Sequence, residues 1–358
     1  MNPRPTHAVS GSAGRSPAQT SSSVALLLLC CTSAACGKAT PASGAGSVET
    51  ALAQPAGASP VATKASLAPC KTYAEPTAAG VLADPDLDEV SGIAASLQHP
   101  GILWAHNDGG KPKLYALDSK GAKVATYKMK SVPTDDWEDL ALGPCSREAV
   151  LAGTACLYVA DTGDNGLNRR VSHIVRTAEP ATLPGPTEDR SISLAASQIE
   201  VFPFTFPDGP QDVEAMTVLP DTRVLLFSKR DDGRSHVYRL TLGQGAAAQA
   251  ERLGTLATRA PSVDSGTALR VTAADLTPDG RWLLLRTYAR VFAFDLGAAL
   301  VAPVAQAEAA LTAAVPTVLK AAAENQGESV AWDPNGGYWH VSEGAGATLF
   351  HVGCSPAP

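Results

Sequence analysis

The chain has 358 residues, of which 45% are hydrophobic and 18% charged, with 31 Gly and 27 Pro. That charged share lies below the ~25% of an ordinary soluble domain, and so much Gly and Pro points to many turns. The formal net charge of −7, with no basic tract longer than a pair, argues against a nucleic-acid footprint, and no apolar run reaches the ~18 residues of a spanning helix.

Arg4 and Arg15 precede the apolar run 24–31, and Ser33, Ala34 and Ala35 lead into Cys36. A positive n-region, a short h-region and small residues before a cleavage point make residues 1–35 a secretory signal. Cys36, after Ala-Ala and before Gly37, resembles the bacterial lipobox, although Ser33 stands where that motif prefers Leu. The resemblance implies export, diacylation of Cys36 and anchoring in the cell envelope, in the periplasm or at the outer membrane. Ordinary cleavage near the same place, with no lipid, is the alternative. Residues 36–66 are Ala, Pro, Gly and Ser with almost no large apolar side chain. Such a segment cannot bury enough surface to offset its ordering entropy, and it reads as a flexible linker to a domain over 67–358.

Four cysteines fall in that domain: Cys70, Cys145, Cys156 and Cys354. They allow three pairings, and export favours disulfides over free thiols. Cys145 and Cys156 flank a polar, Gly-containing excursion between two apolar runs, which suits a local bridge. Cys70 and Cys354 would then join the two ends of the domain.

One unit recurs after residue 80, and a repeat of this kind decides the fold. Short first strands are expected at 91–95, 138–142, 214–218, 272–276 and 328–332. Apolar second strands follow at 102–106, 157–161, 224–228, 282–286 and 338–342, and third strands at 113–118, 171–175, 236–240, 290–295 and 348–352. Turn signatures such as LPDT (219–222), TPDG (277–280) and DPNGG (333–337) separate first from second strands. Five copies predict an all-β chain, a five-bladed β-propeller of antiparallel blades, with residues 79–82 supplying the outer strand of the last blade. A six-bladed ring would need a hidden blade in the long interval between Glu138 and Glu214, and a β-sandwich would leave the repeat unexplained.

Antiparallel parity places the start of every first strand and the loop after every second strand on one face. The first set is Ser91, Glu138, Glu214, Thr272 and Glu328, five oxygen-bearing side chains around the channel mouth. Three carboxylates so close repel unless a cation intervenes, and oxygen-only ligands suit Ca²⁺. Bonding of these acids to neighbouring amides is the plainer alternative. The second set brings His106, Asp108, Asp161 and Asp164 on blades one and two toward Lys229, Arg230 and Arg286 on blades three and four. An acid-held metal facing a basic half is what an anionic small molecule requires, and a salt-bridged surface looks much the same.

No EF-hand, GxSxG, HExxH, P-loop or Rossmann fingerprint occurs; 84–89 starts like an EF-hand but has Glu89 where Gly belongs. The order Ser, Glu, Glu, hydroxyl, Glu on the inner strands resembles the axial calcium cage of the calcium-activated nucleotidases (apyrases), which are five-bladed propellers. DEVSG (88–92) with HNDGG (106–110), and WEDLA (137–141) with LYVAD (157–161), are similar to that family's first two blades; Thr272 stands where Ser is usual. The Ser-Gly-Ile-Ala run (91–94) also resembles secreted phytase-like propellers. The resemblance implies an axial calcium, and two functions fit the chain. One is a binding or scaffold module of the envelope, with an anionic small molecule or an envelope protein as partner. The other is a calcium-dependent phosphohydrolase in which Lys229, Arg230 and Arg286 hold phosphate.

Overall fold

The computed structural model describes residues 69–146, 155–185, 190–243, 245–258 and 265–355. The signal sequence, Cys36 and the whole of the linker expected from the sequence lie outside the described residues. The described strands form five sheets, the blades of a five-bladed β-propeller. The first strand, β1 (Thr77–Val81), belongs to the last blade, and the ring then begins. Blade one is β2 (Val90–Ala95), β3 (Ile102–Asn107), β4 (Lys113–Asp118) and β5 (Lys123–Lys128). Blade two is β6 (Trp137–Pro144), β7 (Ala155–Asp161), β8 (Ser172–Ala178) and, beyond the short β9 (Ser191–Ser193), β10 (Ile199–Thr205). Blade three is β11 (Val213–Val218), β12 (Val224–Ser228), β13 (Arg234–Leu240) and, beyond the short β14 (Ala248–Gln249), β15 (Glu251–Ala257). Blade four is β16 (Val271–Leu276), β17 (Trp282–Thr287), β18 (Val291–Asp295) and β19 (Thr317–Leu319). Blade five is β20 (Gly327–Trp332), β21 (Tyr338–Ser342) and β22 (Thr348–Val352), completed by β1.

Each blade is sandwiched between two others, so its strands are buried on both faces and read as apolar runs rather than strict alternations. Val90–Ala95 is buried at all six positions, and so are Val213–Val218 and Gly327–Trp332. The core is accordingly divided into five clusters, one per blade interface. Phe227 of blade three meets Phe292 and Phe294 of blade four, and Trp104 and Tyr127 of blade one meet Trp137 and Val159 of blade two. The strands that the sequence led us to expect are present, with ends shifted by a few residues at most.

Three features were not expected. β9 pairs parallel to β5 and β14 parallel to β10, so the stretch between the third and outer strands of one blade extends the outer edge of the blade before it. The third is a helix, α1 (Val304–Ala313), between β18 and β19. Its Ala307 and Leu311 pack with Leu253 and Leu256 of β15, where Gly254, at φ +146°, leaves room for the Glu308 backbone.

Closure follows the expected scheme. β1 pairs antiparallel to β22, so the segment preceding blade one becomes the outer strand of blade five. Cys70 and Cys354 are bridged beside it, with Cα atoms 5.1 Å apart, and Cys145 is bridged to Cys156 at 5.0 Å.

Candidate functional site

Every inner strand is broken by a bulge at the same place. In blade one the pairing steps from Val90 with Asn107 to Gly92 with His106, so Ser91 has no residue opposite it. In blade two it steps from Trp137 with Asp161 to Leu140 with Val159, skipping Glu138 and Asp139. The corresponding extra residues are Glu214, Thr272 and Glu328. A bulge re-aims the side chain of its extra residue, and these five positions are the ring expected from the repeat.

Ser91, Glu138, Glu214 and Glu328 line one cavity of about 190 Å³, with Asp108, Asn165, Lys229, Tyr288, Gln326 and Glu343 completing its wall. Thr272 is buried and does not line it; its hydroxyl donates to the Gly327 carbonyl of the next blade at 2.8 Å. The Ser91 hydroxyl likewise donates to the Glu138 carbonyl, Thr162 to Val213 at 2.7 Å, and Ser329 back to Ser91 at 2.6 Å. Four of the five blade junctions are therefore stapled by a hydroxyl, and the hydroxyl protons of Ser91 and Thr272 serve that purpose. Deeper on the axis Asp139 accepts the backbone N–H of Met216 at 2.8 Å and of Ala274 at 3.0 Å, tying blade two to blades three and four.

The cavity is crowded with acid. One carboxylate oxygen from each of Asp108, Asp136 and Glu138 lies within 4.8 Å of the others, and the same holds for Glu138, Asp212 and Glu214. Glu138 belongs to both groups and is 4% exposed, and among the described residues no hydrogen bond ends on its side-chain carboxylate. Gly163 sits against it: a Cβ there would run into the carboxylates of Glu138 and Asp136. Burial, then repulsion by Glu214, Asp108 and Asp136, holds the Glu138 carboxyl well above the ordinary range. Burial also lifts Glu214 to about 7 against the pull of Lys229, and Glu328 to about 8 despite the 2.9 Å bond from Gln326. Burial and Asp136 together raise Asp108 to about 6.

The other candidates divide. Lys229 enters the cavity and is ion-paired with Glu214, its ammonium 5.6 Å from the Tyr288 ring centre. Arg230 lies outside, paired with Asp232 at 3.0 Å. Arg286, 2% exposed, runs beneath the last bulge, paired with Glu324 and packed where a Cβ on Gly327 would fall. Asp161 is held by Arg169 at 2.5 Å and His173 at 3.3 Å. Asp164 accepts the backbone N–H of Asn168 and Arg169 and closes its own loop. His106 is buried edge-on to Trp137, and burial drops its pKa to about 4. The basic half expected on blades three and four is thus spent on internal ion pairs.

Asp136, Asp212 and Gln326 were missed by sequence reasoning, yet each stands two residues before a ring position: Asp136-Trp-Glu138, Asp212-Val-Glu214, Gln326-Gly-Glu328. Residues two apart on a strand point the same way, so the spacing was the available signal.

No family model matches the chain, and no curated protein matches it. Among solved structures, the PQQ-bound aldose sugar dehydrogenase of Streptomyces coelicolor is 11% identical, with 80% of this chain and 100% of that chain covered and a TM-score of 0.42. The apo-form soluble aldose sugar dehydrogenase of Escherichia coli is 10% identical over 79% and 99%, TM-score 0.41. A streptogramin B lyase structure is 10% identical over 79% and 98%, TM-score 0.39. Nothing about the chemistry of the cavity follows from likenesses this distant.

Proposed function

We propose that the axial cavity binds a divalent cation, Ca²⁺, and that the protein is an exported, lipid-anchored binding module of the cell envelope. The buried Glu138 carboxylate carries this reading: among the described residues it has no hydrogen-bond donor, and four other carboxylates stand around it. An isolated ionised carboxylate is not tolerated in such a place, so it is either neutral or paired. Hard oxygen donors in a flexible, irregular set are what Ca²⁺ takes. Glu138, Glu214, Asp108, Asp136 and Asp212 would hold it, with Glu328 and Ser91 in the same cavity wall.

A phosphohydrolase needs cations free to meet phosphate oxygens, and Arg230 and Arg286 are engaged elsewhere while Lys229 faces Glu214. The binding reading is therefore preferred to the enzymatic one. Titration calorimetry with CaCl₂ and thermal melts in chelator and in calcium test it. Saturable binding with a raised Tm supports the reading, and no binding overturns it. Calcium-dependent phosphate release from nucleotides or phytate would move the protein to the alternative class.

A further inference from the structure

Among the described residues, Lys229 is the single lysine or arginine lining a cavity that has Glu138, Glu214, Glu328, Asp108 and Glu343 in its wall. Its side chain is 9% exposed and that of its partner Glu214 is 5% exposed. A lysine ammonium so enclosed loses hydration that only close counter-charges restore. Burial works against its charge, but Glu214 outweighs that and holds the ammonium protonated; Glu138 adds to the same field. The amine thus makes, with Glu214, the contact that a metal ion would make.

We infer that Lys229 is a built-in surrogate cation, occupying the metal's place at Glu214 and competing with Ca²⁺ for it. The inference rests on the cation reading above. The chain enters this position from β12, whose end pairs with the start of β11: Lys229 N–H donates to Asp212 O at 2.9 Å. That bond fixes the backbone of Lys229 beside the acids, leaving its four-carbon side chain free to withdraw. Tyr288, whose ring already faces the ammonium, gives the displaced charge a cation–π resting place. Binding of a dication at Glu214 then means exchange of one counter-ion for another, not the filling of bare acid.

The test is calorimetry and melting of the full chain as wild type, K229M and K229Q, with CaCl₂ as the only ligand. Removal of the competing charge is expected to tighten Ca²⁺ binding by about tenfold or more and to lower Tm in chelator. A variant that folds only with calcium present would support the inference equally, since the ion then replaces the amine. Unchanged or weaker Ca²⁺ binding by a folded K229M and K229Q would overturn it. Binding by the variants with none by wild type would sink the function proposed above while leaving the competition standing. Absence of binding in all three would remove both.

Discussion

At the scale of the residue, burial and neighbouring acids hold the Glu138 carboxyl well above the ordinary range. Glu138→Gln keeps the shape and removes a carboxyl that burial and the charges of Glu214, Asp108 and Asp136 disfavour against the pull of Lys229. In chelator it is expected to stabilise the fold, by roughly 1 kcal/mol, and in calcium to lose most of the ion's effect. Melting curves with and without CaCl₂ separate the two; destabilisation in chelator would show that Glu138 has a partner after all. Gly163→Ala acts on the same spot by a different means, since its methyl would meet the Glu138 and Asp136 carboxylates. It should cost about 1–3 kcal/mol from overpacking and weaken calcium binding in the same titration. The ring itself was legible because one oxygen-bearing residue precedes each apolar strand. Pairing was not: nothing in the string Ser-Lys-Arg (228–230) says that Lys229 turns inward to Glu214 while Arg230 turns outward to Asp232. Side chains of equal charge and adjacent number point to opposite sides of a strand end, and only the register decides which.

At the scale of the element, the five strand trios were readable because blade strands are short apolar runs with sharp turns between them. The helix α1 was not, since its sequence is Ala-rich with only Ala307 and Leu311 buried, too narrow a stripe to announce a helical period. The short edge strands β9 and β14 were also hidden, because their partners lie in another blade's sequence. The bulges are the elements on which the site depends, and the hydroxyl staples hold them. Ser329 gives its proton to the Ser91 carbonyl, closing blade five onto blade one. Ser329→Ala would leave that buried carbonyl without a partner and is expected to cost about 1–3 kcal/mol. Denaturant midpoints measure it, and a cost near zero would mean that the junction relaxes to another donor. Because Ser329 follows Glu328, the same variant is expected to loosen calcium binding as well, which a purely peripheral staple would not do.

For the whole molecule, ring closure and axial charge set stability together. The Cys70–Cys354 bridge spans 284 residues and reinforces the β1–β22 pairing that closes the ring. Cys70→Ser with Cys354→Ser is expected to cost about 2–5 kcal/mol, read as a fall in Tm under non-reducing conditions. The axis adds a dependence on pH that the closure does not have. Burial lifts Glu328 to about 8 in the folded state against an ordinary value of 4.5, and Asp275 to about 7 against 3.8. At these acids the folded state holds more protons than the unfolded one, so their contribution is fully present below about pH 4 and falls as pH rises toward 8. His106, His236 and His340, whose pKa burial lowers, give the opposite slope below their ordinary value of 6.5. Asp161, Glu324 and Asp333 are shifted downward, and their contributions are lost only as pH falls through the low values of their folded states. In chelator, Tm is therefore expected to decline from about pH 6.5 to pH 8, where the acids titrate and the histidines no longer do. Calcium binds the ionised carboxylates and opposes that decline, so in excess CaCl₂ the profile should flatten, with the largest calcium effect at the alkaline end. A chelator profile that rises over the same interval would mean that the axial acids are ionised and paired throughout, and that the ring holds its charge without a cation.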